Sequence, residues 1–204
     1  KENGENQIIV SPTVIEKKRE IKRVTINVTG KSIDSLQREI IAAYIQDYSV
    51  IKLTGKDLKE KEQEIRNIIH NLTGLEIIEQ TGERIIAKDF LDLEDSSIMN
   101  LVKRIDISIR SMFEDVKKVK TKQDHQSILL RKEEVNKLWF LVSRATKYYL
   151  SMPGSQKTTN MTTLEIFNFW DLMHHIKRIG VELRKLSEGF LKVKEEKEDL
   201  EKIM

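Results

Sequence analysis

The sequence contains no cysteine. That absence alone removes disulfide scaffolds, thiolate zinc sites, iron–sulfur clusters and cysteine nucleophiles. Proline is nearly as scarce at 2 residues, and glycine amounts to 8, too few for a propeller, a collagen-like rod or a large turn-rich sandwich. No apolar run approaches the ~18 residues of a bilayer-spanning helix, and no signal peptide is visible. Membrane insertion is therefore not expected, and the cytoplasm is the expected compartment. A large excess of one charge is missing too: 36 Lys+Arg against 33 Asp+Glu leave a net +3 over 204 residues. What is plentiful is charge of both signs, 34% of the chain, set among Ile, Leu and Val. Such a composition favours amphipathic helices over disorder.

Residues 1–22 read as a remnant or linker. Asn3-Gly4-Glu5-Asn6 forms a turn into the short apolar strand Gln7-Ile8-Ile9-Val10, which ends at Ser11-Pro12. One strand cannot bury itself, so a partner strand is expected upstream of Lys1. A basic stretch, Lys17-Lys18-Arg19-Glu20-Ile21-Lys22-Arg23, follows. Residues 23–92 then alternate between two periods. Val24–Val28 and Val50–Leu53 read as strands, and Ile33 to Tyr44 and Leu58 to Leu72 as helical faces. Leu75–Ile78 and Arg84–Ala87 flank Thr81-Gly82 as a hairpin. The predicted order is β-α-β-α-β-β, a small α+β module.

From residue 93 to 204 the helical period takes over. Ile98, Val102, Ile105, Ile109, Met112, Val116 and Val119 step by fours and threes. Val135, Leu138, Val142, Ala145, Tyr149 and Met152 repeat the pattern, as do Leu172, Ile176, Ile179, Leu183, Leu186, Phe190 and Val193. Breaks are expected at Thr121–Asp124 and Pro153–Gln156. The spacing predicts an antiparallel three-helix bundle, up-down-up, making the chain mainly α. Each helix would hold about 27 residues or more, hence about 40 Å at about 1.5 Å per residue. Trp139 and Phe140 in the second helix, and Phe169 and Trp170 in the third, lie off the repeat. They either widen the core or form a second apolar face for a partner.

Several segments together resemble the archaeal branch of the PhoU-like phosphate-uptake regulators. They are Tyr44-Ile45-Gln46-Asp47-Tyr48-Ser49-Val50-Ile51, Leu72-Thr73-Gly74-Leu75-Glu76-Ile77-Ile78-Glu79 and Asp89-Phe90-Leu91-Asp92. Ser111-Met112-Phe113-Glu114-Asp115 and Arg131-Lys132-Glu133-Glu134-Val135-Asn136-Lys137-Leu138 extend the likeness into the bundle. The resemblance implies a regulator of phosphate uptake that acts through protein contacts. It implies a homodimer and a transporter or sensor component as partner. It also implies that Gln7–Val10 is the tail of an AbrB-type swapped-hairpin domain. In that alternative the protein is a transcriptional regulator whose DNA contact lies upstream of Lys1, and this part senses or dimerises.

The resemblance implies metal binding through paired carboxylates one helical turn apart. Here those positions carry Lys132 and Asn136, and the third helix reads Lys177-Arg178-Ile179-Gly180-Val181. Neither an ammonium nor an isopropyl group ligates a cation, so no metal and no cofactor are expected. Glu133, Glu134, Asp171 and His175 are the residual candidates, the last two at a chelating four-residue spacing. No nucleophile elbow, HExxH or phosphate loop is present, and no enzyme is expected. Two basic clusters are candidates for phosphate-backbone or acidic-partner contacts: Lys17, Lys18, Arg19, Lys22 and Arg23, and Lys117, Lys118 and Lys120.

Overall fold

A computed structural model of the chain describes residues 21–93, 97–151 and 159–203. The strand expected at 7–10, the basic residues Lys17, Lys18 and Arg19, and the break expected at Pro153–Gln156 lie outside them. The module comes first: β1 (Arg23–Asn27), α1 (Ile33–Ile45), β2 (Val50–Thr54), α2 (Glu62–His70), β3 (Leu75–Gln80) and β4 (Arg84–Asp89). Long helices follow among the described residues: α3 (Ile98–Val116), α4 (Lys122–Ser151) and α5 (Thr163–Ile203). The predicted α+β module followed by a mainly helical region is what the chain forms.

The module is a four-stranded mixed sheet in the order β1-β2-β4-β3. β1 and β2 pair in parallel, and the β3–β4 hairpin joins antiparallel through β4. Alternation fixes the buried face: Ile51 and Leu53 of β2 and Ile85 and Ala87 of β4 are fully enclosed. They meet Leu36 and Ile40 of α1 and Ile65 and Ile69 of α2 in one core. A bulge between Ile77 and Glu79 shifts the register of β3, and Ile78 is left half exposed.

Short polar motifs set the helix starts. Ser32 accepts the Ser35 N–H at the head of α1, and Ser97 accepts that of Asn100 at the head of α3. Thr121 and Asp124 cap α4 reciprocally: Asp124 N–H donates to Thr121 Oγ1 at 3.1 Å, and Asp124 Oδ2 accepts the Thr121 N–H at 2.9 Å. Thr162 and Glu165 do the same for α5. The segment expected as a break at Thr121–Asp124 is thus a capping box, with α4 already under way at Lys122. The backbone N–H groups of Lys120 and Thr162 hold the Asp124 and Glu165 carboxyls below their ordinary range.

Ion pairs Arg104–Glu134 and Asp115–Arg131 run in opposite chain directions, so α3 and α4 are antiparallel. His125–Ser187 and Ser143–Trp170 show the same for α4 and α5. The helices are unequal: α4 and α5, at 30 and 41 residues, meet the expected length of about 27 or more, and α3 falls short of it at 19. The seams of α3 and α4 follow the predicted repeat, with Ile105, Ile109, Met112, Val135, Leu138, Val142 and Ala145 buried.

The seam of α5 does not. Of its predicted stripe only Leu183 is buried and Ile176 half-buried, while Leu172, Ile179, Leu186, Phe190 and Val193 are 40–66% exposed. The helix turns the neighbouring row inward instead: Ile166, Met173, Gly180 and Ser187, each seven residues apart. Small residues explain the choice. A Cβ on Gly180 would lie 2.9 Å from Ile109 Cδ1, so α5 lies close to α3 there and a larger residue would displace the tip of that side chain.

Gly74 is the glycine on which the module most depends. It has φ +82°, and a Cβ there would lie 2.5 Å from Leu91 Cβ. Gly74→Ala is expected to cost about 1–3 kcal/mol of unfolding free energy in urea denaturation. An unchanged midpoint would show that the turn relaxes freely.

Candidate functional site at the junction of module and bundle

Every residue of α4 from Leu141 to Thr146 is buried. That stretch exceeds one helical turn of ~3.6 residues, so neighbours surround the helix on all sides here. The bundle covers one side and the module the other. Phe140 packs on the module core, and the Tyr149 hydroxyl donates to the Leu93 carbonyl at 2.9 Å.

At the centre is Arg144, with no exposed surface. Its Nε and Nη2 donate to Asp47 Oδ1 at 3.2 and 2.8 Å, and its Nη1 to Asp89 Oδ1 at 3.0 Å. A further bond joins Nη2 to Asp89 Oδ2. The guanidinium also lies over the Tyr44 ring, 4.7 Å from its centroid. Asp47 reaches this point because the chain turns there in the left-handed region, φ 63°, just past the end of α1. A carboxylate at a helix C-terminus opposes the helix dipole, and Arg144 supplies the compensating charge. Burial opposes the charge on Arg144, but the bonds to Asp89 and Asp47 outweigh it and hold the guanidinium pKa above its ordinary value. Burial also pushes the Tyr44 hydroxyl up to about 12. That hydroxyl donates to the Thr73 carbonyl at 2.8 Å.

Two hollows flank this clamp. The larger, about 500 Å³, is apolar and lies between α4 and α5, with Ile45 of α1 at its edge. Its walls include Trp139, Thr146, Leu150, Phe167 and Trp170. Trp170 Nε1 donates to Ser143 Oγ at 3.2 Å. Thr146 Oγ1 and Trp139 Nε1 are buried without a hydrogen-bond partner. The smaller hollow, about 290 Å³, is polar and contains Lys22, Asp47, Tyr48, Lys147 and Ser151.

Comparison with protein-family models, with curated proteins and with solved structures finds no match for this chain.

The residues singled out from sequence do not converge on one site. Trp139 and Trp170 share the apolar hollow, and Phe169 is half-buried beside them on α5. Phe140 is partly buried and packs on the module core. The Lys177 ammonium sits 4.0 Å over the Trp139 ring. Burial, and then Lys132, lower the Lys177 pKa. Two cations thus occupy the neighbourhood in which the resemblance places metal-binding carboxylates. Of the remaining acidic candidates, Glu134 pairs loosely with Arg104 at 3.7 Å. Asp171 lies 3.7 Å from His175, both more than half exposed, and Glu133 is exposed. Among the described residues no group of three His, Asp or Glu side chains is placed to hold a metal ion. The basic residues separate as well. Lys22 and Arg23 lie at the module, whereas Lys117, Lys118 and Lys120 lie exposed at the α3–α4 turn, with Lys117 bonded to Glu114.

Sequence reasoning missed Arg144, Asp47 and Asp89. The available signal was a lone cation inside the mostly apolar run Leu138–Thr146, with no acid three or four residues away on either side.

Arg144→Leu is expected to lose about 3–5 kcal/mol in urea denaturation, because Asp47 and Asp89 lose the guanidinium that they share. Adding Asp47→Asn and Asp89→Asn should recover part of that loss, and no recovery would refute the charge argument. Tyr44 makes a pH prediction. Its folded pKa is raised, so the folded state holds the proton more tightly and stability falls as pH rises from about 10 through about 12. Melting of Tyr44→Phe across that range should lack this component of the decline.

Proposed function

We propose that the chain is a non-enzymatic regulator of phosphate uptake that works as a homodimer through contacts of its helical bundle. The resemblance to PhoU-like regulators supplies the cellular subject, and the helical region supplies a surface suited to contact. The observation that carries the reading is the outer stripe of α5. Leu172, Ile179, Leu186 and Val193 recur every seven residues and are 48%, 40%, 52% and 66% exposed. A seven-residue apolar repeat is the pattern with which one helix packs lengthwise on another. Among the described residues α5 meets α3 and α4 on a different row, which leaves the stripe exposed. A second copy presents the identical stripe, and a two-fold axis satisfies both at once. No described helix is long and apolar enough to cross a membrane, so contact with a transporter would be made from outside the bilayer.

The test has two readings. Sedimentation equilibrium of the full chain should give about twice the 23.9 kDa protomer mass. Ile179→Glu with Leu186→Glu should give the protomer mass with an unchanged far-ultraviolet spectrum, since both positions are exposed. A monomeric parent chain at tens of micromolar overturns the dimer. Separately, the parent chain should retain purified phosphate-transporter components above the level of an unrelated helical control. Equal retention overturns the regulatory subject.

A further inference from the structure

The two hollows beside the clamp share Lys147 and Ser151 on a common rim. One is apolar and the other carries cations, and together they describe the outline of an amphiphile. We propose that they form one binding site for a free, single-chain anionic amphiphile. Its alkyl chain lies between Trp139, Phe167 and Trp170, and its anionic head lies over Lys147 and Lys22.

Three observations support the assignment independently of dimerisation along α5. First, the apolar hollow of about 500 Å³ falls within the ~300–1,000 Å³ of small-molecule sites. Second, Lys147 and Ser151 border both hollows, so a chain lying in the apolar one can place its head in the polar one. Third, Lys147 and Lys22 form no ion pair among the described residues, although Asp47 shares their hollow. Asp47 is already held by Arg144, which leaves both ammonium groups for an outside anion. The sign of the head follows, because the cations at the rim are the groups left uncompensated.

The chain contains 2 tryptophans, and both line the apolar hollow, so intrinsic emission reads its occupancy. The full chain is titrated with dodecanoate below its micellar concentration. A saturable blue shift is expected, with dodecylammonium of equal chain length at least roughly tenfold weaker. Lys147→Glu, at an exposed position, should weaken dodecanoate roughly tenfold while leaving the far-ultraviolet spectrum unchanged. Lys22→Glu is the second variant and should act in the same direction. A linear, unsaturated response, equal affinity for the two head charges, or indifference to both lysine variants would overturn the proposal. So would the same emission change on adding inorganic phosphate alone, which has no alkyl chain for the hollow.

Discussion

The junction between the two halves of this chain depends on one buried cation. Arg144 arises from the middle of α4 and is held by two carboxylates that arrive from different parts of the module, one past the end of α1 and one at the end of β4. The guanidinium is fully buried, and the two carboxylates compensate its charge there. The planar fork matters as much as the charge. Nε and Nη2 serve Asp47 while Nη1 and Nη2 serve Asp89, a division that a lysine cannot reproduce. The clamp fixes the rotation of α4 against the sheet, and the flanking hollows owe their shape to that rotation.

Around this point the packing is layered by residue size. On the bundle side, Gly180 and Ser187 let α5 lie close to its neighbours. On the module side, Phe140 reaches across to the core beneath α1 and α2. Between them the aromatic residues are only partly enclosed, and Trp139 Nε1 and Thr146 Oγ1 are buried without bonds. A fold stabilised by apolar burial throughout its two cores is therefore left unfinished at the place where those cores meet.

Much of the architecture was legible in the residue pattern because period is a local property. Alternation in β2 and β4, the Thr81-Gly82 hairpin and the four-three steps of α3 and α4 each specify an element without reference to anything distant. The row that α5 turns inward was not legible. Its apolar stripe and the row carrying Gly180 and Ser187 are adjacent on the helix, and hydrophobicity alone favours the wrong one. Close approach decided between them, and closeness depends on Ile109 in another helix. The clamp was hidden for the same reason. Asp47, Asp89 and Arg144 are separated by 97 and 55 residues along the chain, and no spacing rule joins them. An arginine within an apolar run marks only that a counter-charge must come from somewhere.

The unequal helix lengths have a mechanical consequence. α5 is held against α3 at Gly180, close to its midpoint, while Trp170 sits toward one end and Lys194 meets the Lys120 carbonyl toward the other. From Lys194 the helix runs on to Ile203. Held at Trp170, Gly180, Ser187 and Lys194, α5 is braced along most of its length and provides a rigid mechanical link between the two ends of the bundle.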